Sequence, residues 1–355
     1  MNVSQEFKLS GIALPKDASV LLDEICEHFV EHAEVSRNGN LVFMKSDKAR
    51  VDIRLEAPRL LIELACYSEE DLEENRTMLA EHLFYFNGDD PMELTWSQAM
   101  PEGARPHVLE LTVVSAENIT PHMRRVKFAC ADVTPFVNDD MHIRLLVPPR
   151  GRTPVWPGFQ ENGRIAWPEG EDTLLVRVYT IRAVDLEKQE LWIDFFQHPE
   201  PGVATPGADF ARDAMPGDKA ALLGPGGGHR PDAARMLLIG DETALPAIAR
   251  IAAEVPEGTV IEAIIEVLDG MEEQPLPSAG NLRVKWVHRA STAEQGALLV
   301  SEARAAIAAV DPDTFVWIAC EKRDLRLLRS LLKARQHDKA KTYAAWFWDR
   351  SAAQE

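Results

Sequence analysis

The spacing of hydrophobic and polar positions changes twice along the chain, and the changes divide it into three parts. From residue 1 to about 99, helical and strand periods are mixed. Val20, Leu21, Ile25, Phe29 and Val30 recur at helical spacing and predict a helix over residues 15–32. Residues 35–37 and 41–43 flank the turn Asn38-Gly39-Asn40 as two short strands, and 51–56 and 60–66 extend the meander. A second helix over 69–86 carries Leu72, Leu79, Leu83 and Phe86, and 93–96 closes a small α+β domain as a strand. Residues 100–107, with Pro101, Gly103 and Pro106, read as a linker.

From 108 to 228 the period is two. Strands are expected at 108–115, 123–130, 142–147, 174–182, 190–197 and 219–223, with no long helix between them. Six such strands predict a closed antiparallel barrel, which leaves no exposed edge. The interruption at 148–171, rich in Pro, Gly and Trp, reads as a surface loop near a ligand or as an insertion. Beyond Gly224-Pro225-Gly226-Gly227-Gly228, over 229–355, strands at 236–240, 260–266, 284–288, 315–319 and 343–348 alternate with helices near 243–254, 292–309 and 323–336. That alternation predicts a parallel α/β sheet of the nucleotide-binding type, with its site at the carboxyl ends of the strands.

At 355 residues several domains are expected. A formal charge of −19 argues against a nucleic-acid or anionic-membrane partner, so an anionic ligand must meet locally clustered cations. No run approaches the roughly 20 apolar residues of a bilayer span, and the first residues lack a signal-peptide pattern, so a cytoplasmic protein is expected, as a monomer or homodimer. Cys26, Cys66, Cys130 and Cys320 are far apart and spell neither a zinc nor an iron–sulfur motif. His28, His32 and His82 read as exposed helix histidines rather than ligands.

The densest chemistry lies in Arg177-Val178-Tyr179-Thr180-Ile181-Arg182. In a strand, Arg177, Tyr179 and Ile181 share one face and Val178, Thr180 and Arg182 the other. Arg forks onto phosphate, Tyr lies flat on a ring system, and Thr offers a hydroxyl and a backbone N–H to a ring edge. At the start of the α/β part, Asp241-Glu242-Thr243 places two carboxylates where a dinucleotide would lay its pyrophosphate, although acids also serve as plain helix caps.

A barrel with Arg-x-Tyr-Thr followed by an α/β domain resembles the ferredoxin-reductase-like flavoenzymes. Five ordered segments narrow the resemblance: the hexapeptide, Asp194-Phe195-Phe196-Gln197-His198, the stretch ending Pro216-Gly217-Asp218, Gly224-Pro225-Gly226-Gly227, and Gly240-Asp241-Glu242-Thr243-Ala244-Leu245-Pro246-Ala247. Together, over roughly residues 108–350, they resemble the siderophore-interacting protein family, whose members are cytosolic FAD-dependent ferric-siderophore reductases. The first 99 residues resemble a small DUF2218-like domain of unknown function, fused in some chains to flavin reductases.

The resemblance implies that Arg177 holds the FAD pyrophosphate, Tyr179 stacks on the flavin or ribityl region, Thr180 binds the isoalloxazine edge beside Ile181, and His198 touches FAD or stands in solvent. Gly207, Ala208, Asp209 and Phe210 occupy the family's phosphate turn, with Ala208 and Asp209 where the family has Ser and Arg. Asp241, Thr243 and Ala244 open the donor site. Cys320 replaces a glycine there, as a reactive thiol or a tolerated small residue. Trp348 belongs to an aromatic tail, 343–350, that either covers the flavin or completes the sheet core. Arg182, Lys285, Arg289, Lys322, Arg323 and Arg350 are candidates for a basic pocket for the ferric siderophore, each with a solvated surface charge as the plainer reading. Arg289 is also the best single candidate for a 2′-phosphate. NADH, NADPH and reduced ferredoxin stand open as donors. Two further readings are a flavin reductase passing electrons to a protein partner and a carrier that binds ferric siderophore without reducing it.

Overall fold

The computed structural model describes residues 6–29, 33–101, 105–137, 140–197, 205–289 and 296–350. The chain separates into two compact units, Met1–Val108 with Val155–Thr173, and Leu109–Pro154 with Leu174–Glu355.

The first unit contains β1 (Phe7–Leu14), α1 (Ala18–Phe29), β2 (Glu34–Asn38), β3 (Leu41–Lys45), β4 (Ala49–Glu56), β5 (Arg59–Cys66), α2 (Glu69–Asn87) and β6 (Glu93–Trp96). Its antiparallel sheet runs β2-β3-β4-β5-β1-β6, and both helices bury their apolar faces in one core with it. The expected strands and helices lie where their periods place them, but β1 was not anticipated. Its buried positions include Gly11 and Ala13, too small to mark a strand by hydrophobicity. Gly11 is small for a reason: a Cβ there would lie 2.7 Å from the Trp96 ring. The histidine expectation is also corrected, because His28 and His82 are half-buried in a ring cluster with Phe29 and Phe86, while His32 lies outside the described residues.

The second unit begins with β7 (Leu109–Asn118), β8 (Met123–Cys130) and β9 (His142–Val147). The chain then forms the short hairpin β10 (Gly158–Phe159) and β11 (Ile165–Ala166), which belongs to the first unit. Trp96 Nε1 donates to Asn162 O at 2.8 Å, Ile165 N donates to Glu81 Oε1 at 2.8 Å, and Arg164 lies over the Phe84 ring. The Pro- and Trp-rich interruption is thus an insertion fixed to α2 and β6.

The barrel continues with β12 (Leu175–Asp185), β13 (Glu190–Phe196), helix α3 (Pro206–Asp213) and β14 (Lys219–Leu223), and closes in the order β12-β13-β8-β7-β14-β9. The α/β part follows: β15 (Arg235–Gly240), α4 (Leu245–Glu254), β16 (Val260–Val267), β17 (Asn281–His288), α5 (Ala297–Ala309), β18 (Phe315–Glu321), α6 (Lys322–Ala334) and β19 (Thr342–Trp348). Its parallel sheet runs β17-β16-β15-β18-β19, so the strand order reverses between β15 and β18. In open α/β sheets a ligand crevice forms at that reversal, here beyond Gly240 and Ala319.

Barrel and sheet are tied by buried polar groups. Arg250 on α4 is 1 % exposed; its Nη1 donates to Ile181 O at 3.1 Å and its Nη2 to Phe136 O at 2.7 Å. Glu272, also buried, accepts from Thr120 Oγ1 at 2.5 Å and pairs with His122 Nδ1 at 2.7 Å. Buried carbonyls that lose a donor carry most of their desolvation cost, roughly 1–3 kcal/mol each. Arg250→Met is expected to lower unfolding stability by roughly 3 kcal/mol, measured by urea denaturation; an unchanged midpoint would show that the tie contributes nothing.

Candidate functional site

The site is built where β12 meets β9. Their register sets Thr180 opposite His142, Tyr179 opposite Ile143 and Arg177 opposite Leu145. Thr180 is buried, with Oγ1 3.2 Å from His142 Nδ1. The glycine-rich loop closes on the same histidine: His142 N donates to Gly227 O at 3.3 Å, and Gly226 N donates to His142 O at 2.9 Å. Gly228 has φ +71, and a Cβ there would lie 2.1 Å from the imidazole, so only glycine fits. Phe347 stands edge-on to the ring, 5.2 Å away. Burial pushes the His142 pKa down to about 4, so the ring is neutral near pH 7. Its Nε2 is buried without a hydrogen-bond partner among the described residues.

Arg177 is exposed; its Nη1 donates to Val176 O at 2.9 Å, and no carboxylate pairs with it among the described residues. The other residues of that face turn inward. Tyr179 packs its ring on Phe195, centroids 4.4 Å apart, with its hydroxyl against Gly207, instead of standing clear on the strand. Ile181 is fully buried, its N–H donating to Met141 O at 2.8 Å and its carbonyl taken by Arg250. Phe210 joins the barrel core beside Phe128 and Phe195, and Ala208 is buried with it. The barrel interior claims these side chains because an apolar ring gains more inside it than at a solvated rim. Asp209 accepts from Thr205 N at 3.2 Å and from Arg212 Nη1 at 2.6 Å, so the acid added to this turn is already paired. His198 lies outside the described residues.

At the carboxyl ends of the parallel sheet the acids are occupied from within the chain. Asp241 Oδ1 accepts from Thr243 N at 2.9 Å and from Thr243 Oγ1 at 2.5 Å, while Oδ2 accepts from Trp348 Nε1 at 2.7 Å. Ala244 is a core residue whose Cβ fills the space above Gly240. Glu242 pairs with Arg289, and burial pushes its pKa up to about 8 against that pull. Glu266 accepts from Gly296 N at 3.0 Å and Leu299 N at 3.1 Å, with Arg289 3.9 Å away.

Most of the expected basic pocket is therefore engaged elsewhere. Arg289 is buried between Glu242 and Glu266. Lys285 pairs with Glu302 at 2.5 Å on the outer strand, Lys322 with Asp349 at 2.7 Å, and Arg350 with Glu321 and Asp324 at 3.1 and 3.0 Å. Arg182 is largely buried, 3.9 Å from an Asp194 that Arg125 holds by two bonds of 2.7 and 2.8 Å. Cys320 is fully buried, and burial raises its pKa far above the ordinary thiol value, so it is an inert packing residue. In the aromatic tail Tyr343 stacks on Trp317, Phe347 bridges Trp317 to His142, and Trp346 stays exposed. The tail both completes the core and reaches the site.

Sequence reasoning missed His142 and Arg250. Their signal is a cross-strand register and an interdomain contact, neither of which a one-dimensional pattern contains.

A closed six-stranded antiparallel barrel joined to a five-stranded parallel α/β sheet defines a two-part module with a crevice at the strand reversal. Residues 112–229 match the siderophore-interacting FAD-binding domain, 233–351 the siderophore-interacting protein model, and 12–97 DUF2218, a family described as an uncharacterized protein conserved in bacteria. The chain is 30% identical to the NADPH-dependent ferric-chelate reductase of Escherichia coli, over 67% of this chain and 92% of that one. It is 26% identical to the ferric vibriobactin reductase ViuB of Vibrio cholerae, over 72% and 93%. A siderophore utilization protein from T. fusca superposes with a TM-score of 0.59 at 32% identity, over 71% and 96%. The chain belongs to the siderophore-interacting protein family. Among the described residues no helix is long and apolar enough to cross a membrane.

A histidine held neutral by burial gives the site a pH dependence of known sign. With the folded pKa near 4 and the ordinary value at 6.5, its stabilisation is full above 6.5 and is lost as pH falls toward 4. From pH 7.5 to about 5 the loss is roughly 2 kcal/mol. Urea denaturation at the two pH values should show this loss, and His142→Asn should reduce it; an equal loss in the variant would assign it to other groups.

Proposed function

We propose that the protein is a cytoplasmic FAD-dependent ferric-siderophore reductase, which reduces Fe(III) in the chelate to Fe(II) and so releases the iron. The observation that carries this reading is Thr180, His142 and the glycine loop gathered at one corner, with an uncommitted Arg177 on the same strand. These residues fit a flavin. Arg177 offers a phosphate a guanidinium with no competing carboxylate among the described residues, and the orphaned His142 Nε2 lies beside the Thr180 position proposed for the ring edge. The backbone at the start of α3 is the second proposed phosphate contact.

When bound, FAD supplies two electrons that can leave singly, and the protein binds, orients and tunes it. Thr180 would hold one edge of the ring. The neutral His142 leaves no cationic imidazole in the corner, and Phe347, edge-on to the imidazole at 5.2 Å, packs against one side of it. Weaker binding of Fe(II) by hard oxygen ligands completes release.

NAD(P)H and reduced ferredoxin are the candidate donors. Asp241 at the helix start, with Arg289, Lys322 and Arg350 already paired, opposes tight binding of a pyrophosphate. This favours a loosely held dinucleotide or a protein donor over a tightly bound NADPH.

The test is a single turnover. FAD-loaded protein is reduced with dithionite, freed of excess reductant and mixed anaerobically with a ferric siderophore and a ferrous trap. The oxidised flavin band should return with two Fe(II) trapped per flavin. A flavin that stays reduced while ferric siderophore binds would leave the carrier reading in its place.

A further inference from the structure

The first unit contains a cavity of about 330 Å³ between α1, α2 and the β3–β4 end, within the range of small-molecule sites. Phe29, Met44, Ala49, Met78, Leu79 and His82 form most of its wall. Asn75, Met78, Leu79 and His82 recur at helical spacing, so α2 presents one continuous face to the space. None of these residues belongs to the flavin corner.

The wall fixes the chemistry of an occupant. The Phe29 and His82 rings stand 5.1 Å apart at 56°, and His28 lies 5.0 Å from His82, so one end is built from ring faces and edges. The Met44 and Met78 thioethers adapt around a flat body. The polar provision is small and directional. His82 Nδ1 donates to Met78 O at 2.7 Å, which sets the orientation of the ring and leaves Nε2 with no hydrogen-bond partner among the described residues. Ser46 is used by the turn, where its Oγ accepts from Ala49 N at 3.1 Å, and Asn75 Nδ2 donates to Asp71 O at 2.8 Å. Lys45, exposed at the end of β3, is the cation of the lining; the neighbouring Lys48 is held by Glu74 at 3.5 Å and Asp71 at 3.8 Å.

We propose that this cavity is a binding site for a small aryl acid, its ring between Phe29, Met44 and Met78, its proton passed to His82 Nε2 and its carboxylate accepting from that N–H and from Lys45 Nζ. An aliphatic chain would leave the ring cluster unused, and a cation would face Lys45 with no carboxylate to receive it among the described lining residues.

The test uses the full chain loaded with FAD and carrying ¹³C-methyl methionine, titrated with 1-naphthoate and with the uncharged 1-naphthalenemethanol. The account predicts saturable ring-current shifts at Met44 and Met78, with the methyls of Met123, Met141 and Met236 in the second unit unmoved. Ala49→Phe, which fills the cavity, should abolish both titrations. The exposed change Lys45→Glu, which does not touch the core, should weaken naphthoate roughly tenfold, as expected for one charged contact, and leave the alcohol unchanged. No saturable shift at Met44 and Met78 up to millimolar naphthoate would overturn the site. Equal affinity of the acid and the alcohol, or equal effects of Lys45→Glu on both, would overturn the assignment to an acid.

Discussion

A buried guanidinium holds the second unit in register. Arg250 leaves water almost completely, a step costing several kcal/mol for an ion unless its donors are satisfied. Its partners are the carbonyls of Ile181 and Phe136 and the carboxylate of Glu254, 2.8 Å away. One of those carbonyls belongs to the strand that carries Arg177 and Thr180. The helix that carries Arg250 begins just after Asp241-Glu242-Thr243. The Arg177–Arg182 stretch and the reversal point of the parallel sheet are therefore positioned by the same side chain.

The acids at that reversal point serve the chain before any ligand. Asp241 caps its own turn and anchors Trp348; Glu321 caps α6 and receives Arg350. With β19 anchored at its end, Phe347 stands against His142. Folding energy spent on this closure shapes the β9–β12 corner proposed for the flavin, and it engages Lys322 and Arg350 within the chain.

Much of this was legible in the sequence because the signals were periodic. The six barrel strands and the five parallel strands are read from alternation and from the switch to βα repeats. Strand β1 was hidden by Gly11 and Ala13, whose smallness makes room for Trp96 but carries no hydrophobic signal. Within the site, chemistry was legible and orientation was not. Tyr179 and Ile181 were assigned to a ligand-facing side, yet the barrel interior claims that side. Arg289 and Lys285 read as free charges because their partners, Glu242 and Glu302, are near only in three dimensions. His142 sits 38 positions from Thr180 and is visible only through the β9–β12 register.

The central claim is that the β12 corner holds the flavin, and its most direct measurement is an FAD titration of the apoprotein followed by quenching of flavin fluorescence. One FAD per chain is predicted, with affinity falling roughly 10-fold or more in Arg177→Ala, as loss of a charge-assisted phosphate contact requires. A smaller loss is predicted in Thr180→Val. Arg283→Ala, at an exposed position on the outer strand β17, should bind as the parent does. Stoichiometric FAD binding that neither Arg177→Ala nor Thr180→Val weakens would contradict the account and move the flavin away from this strand.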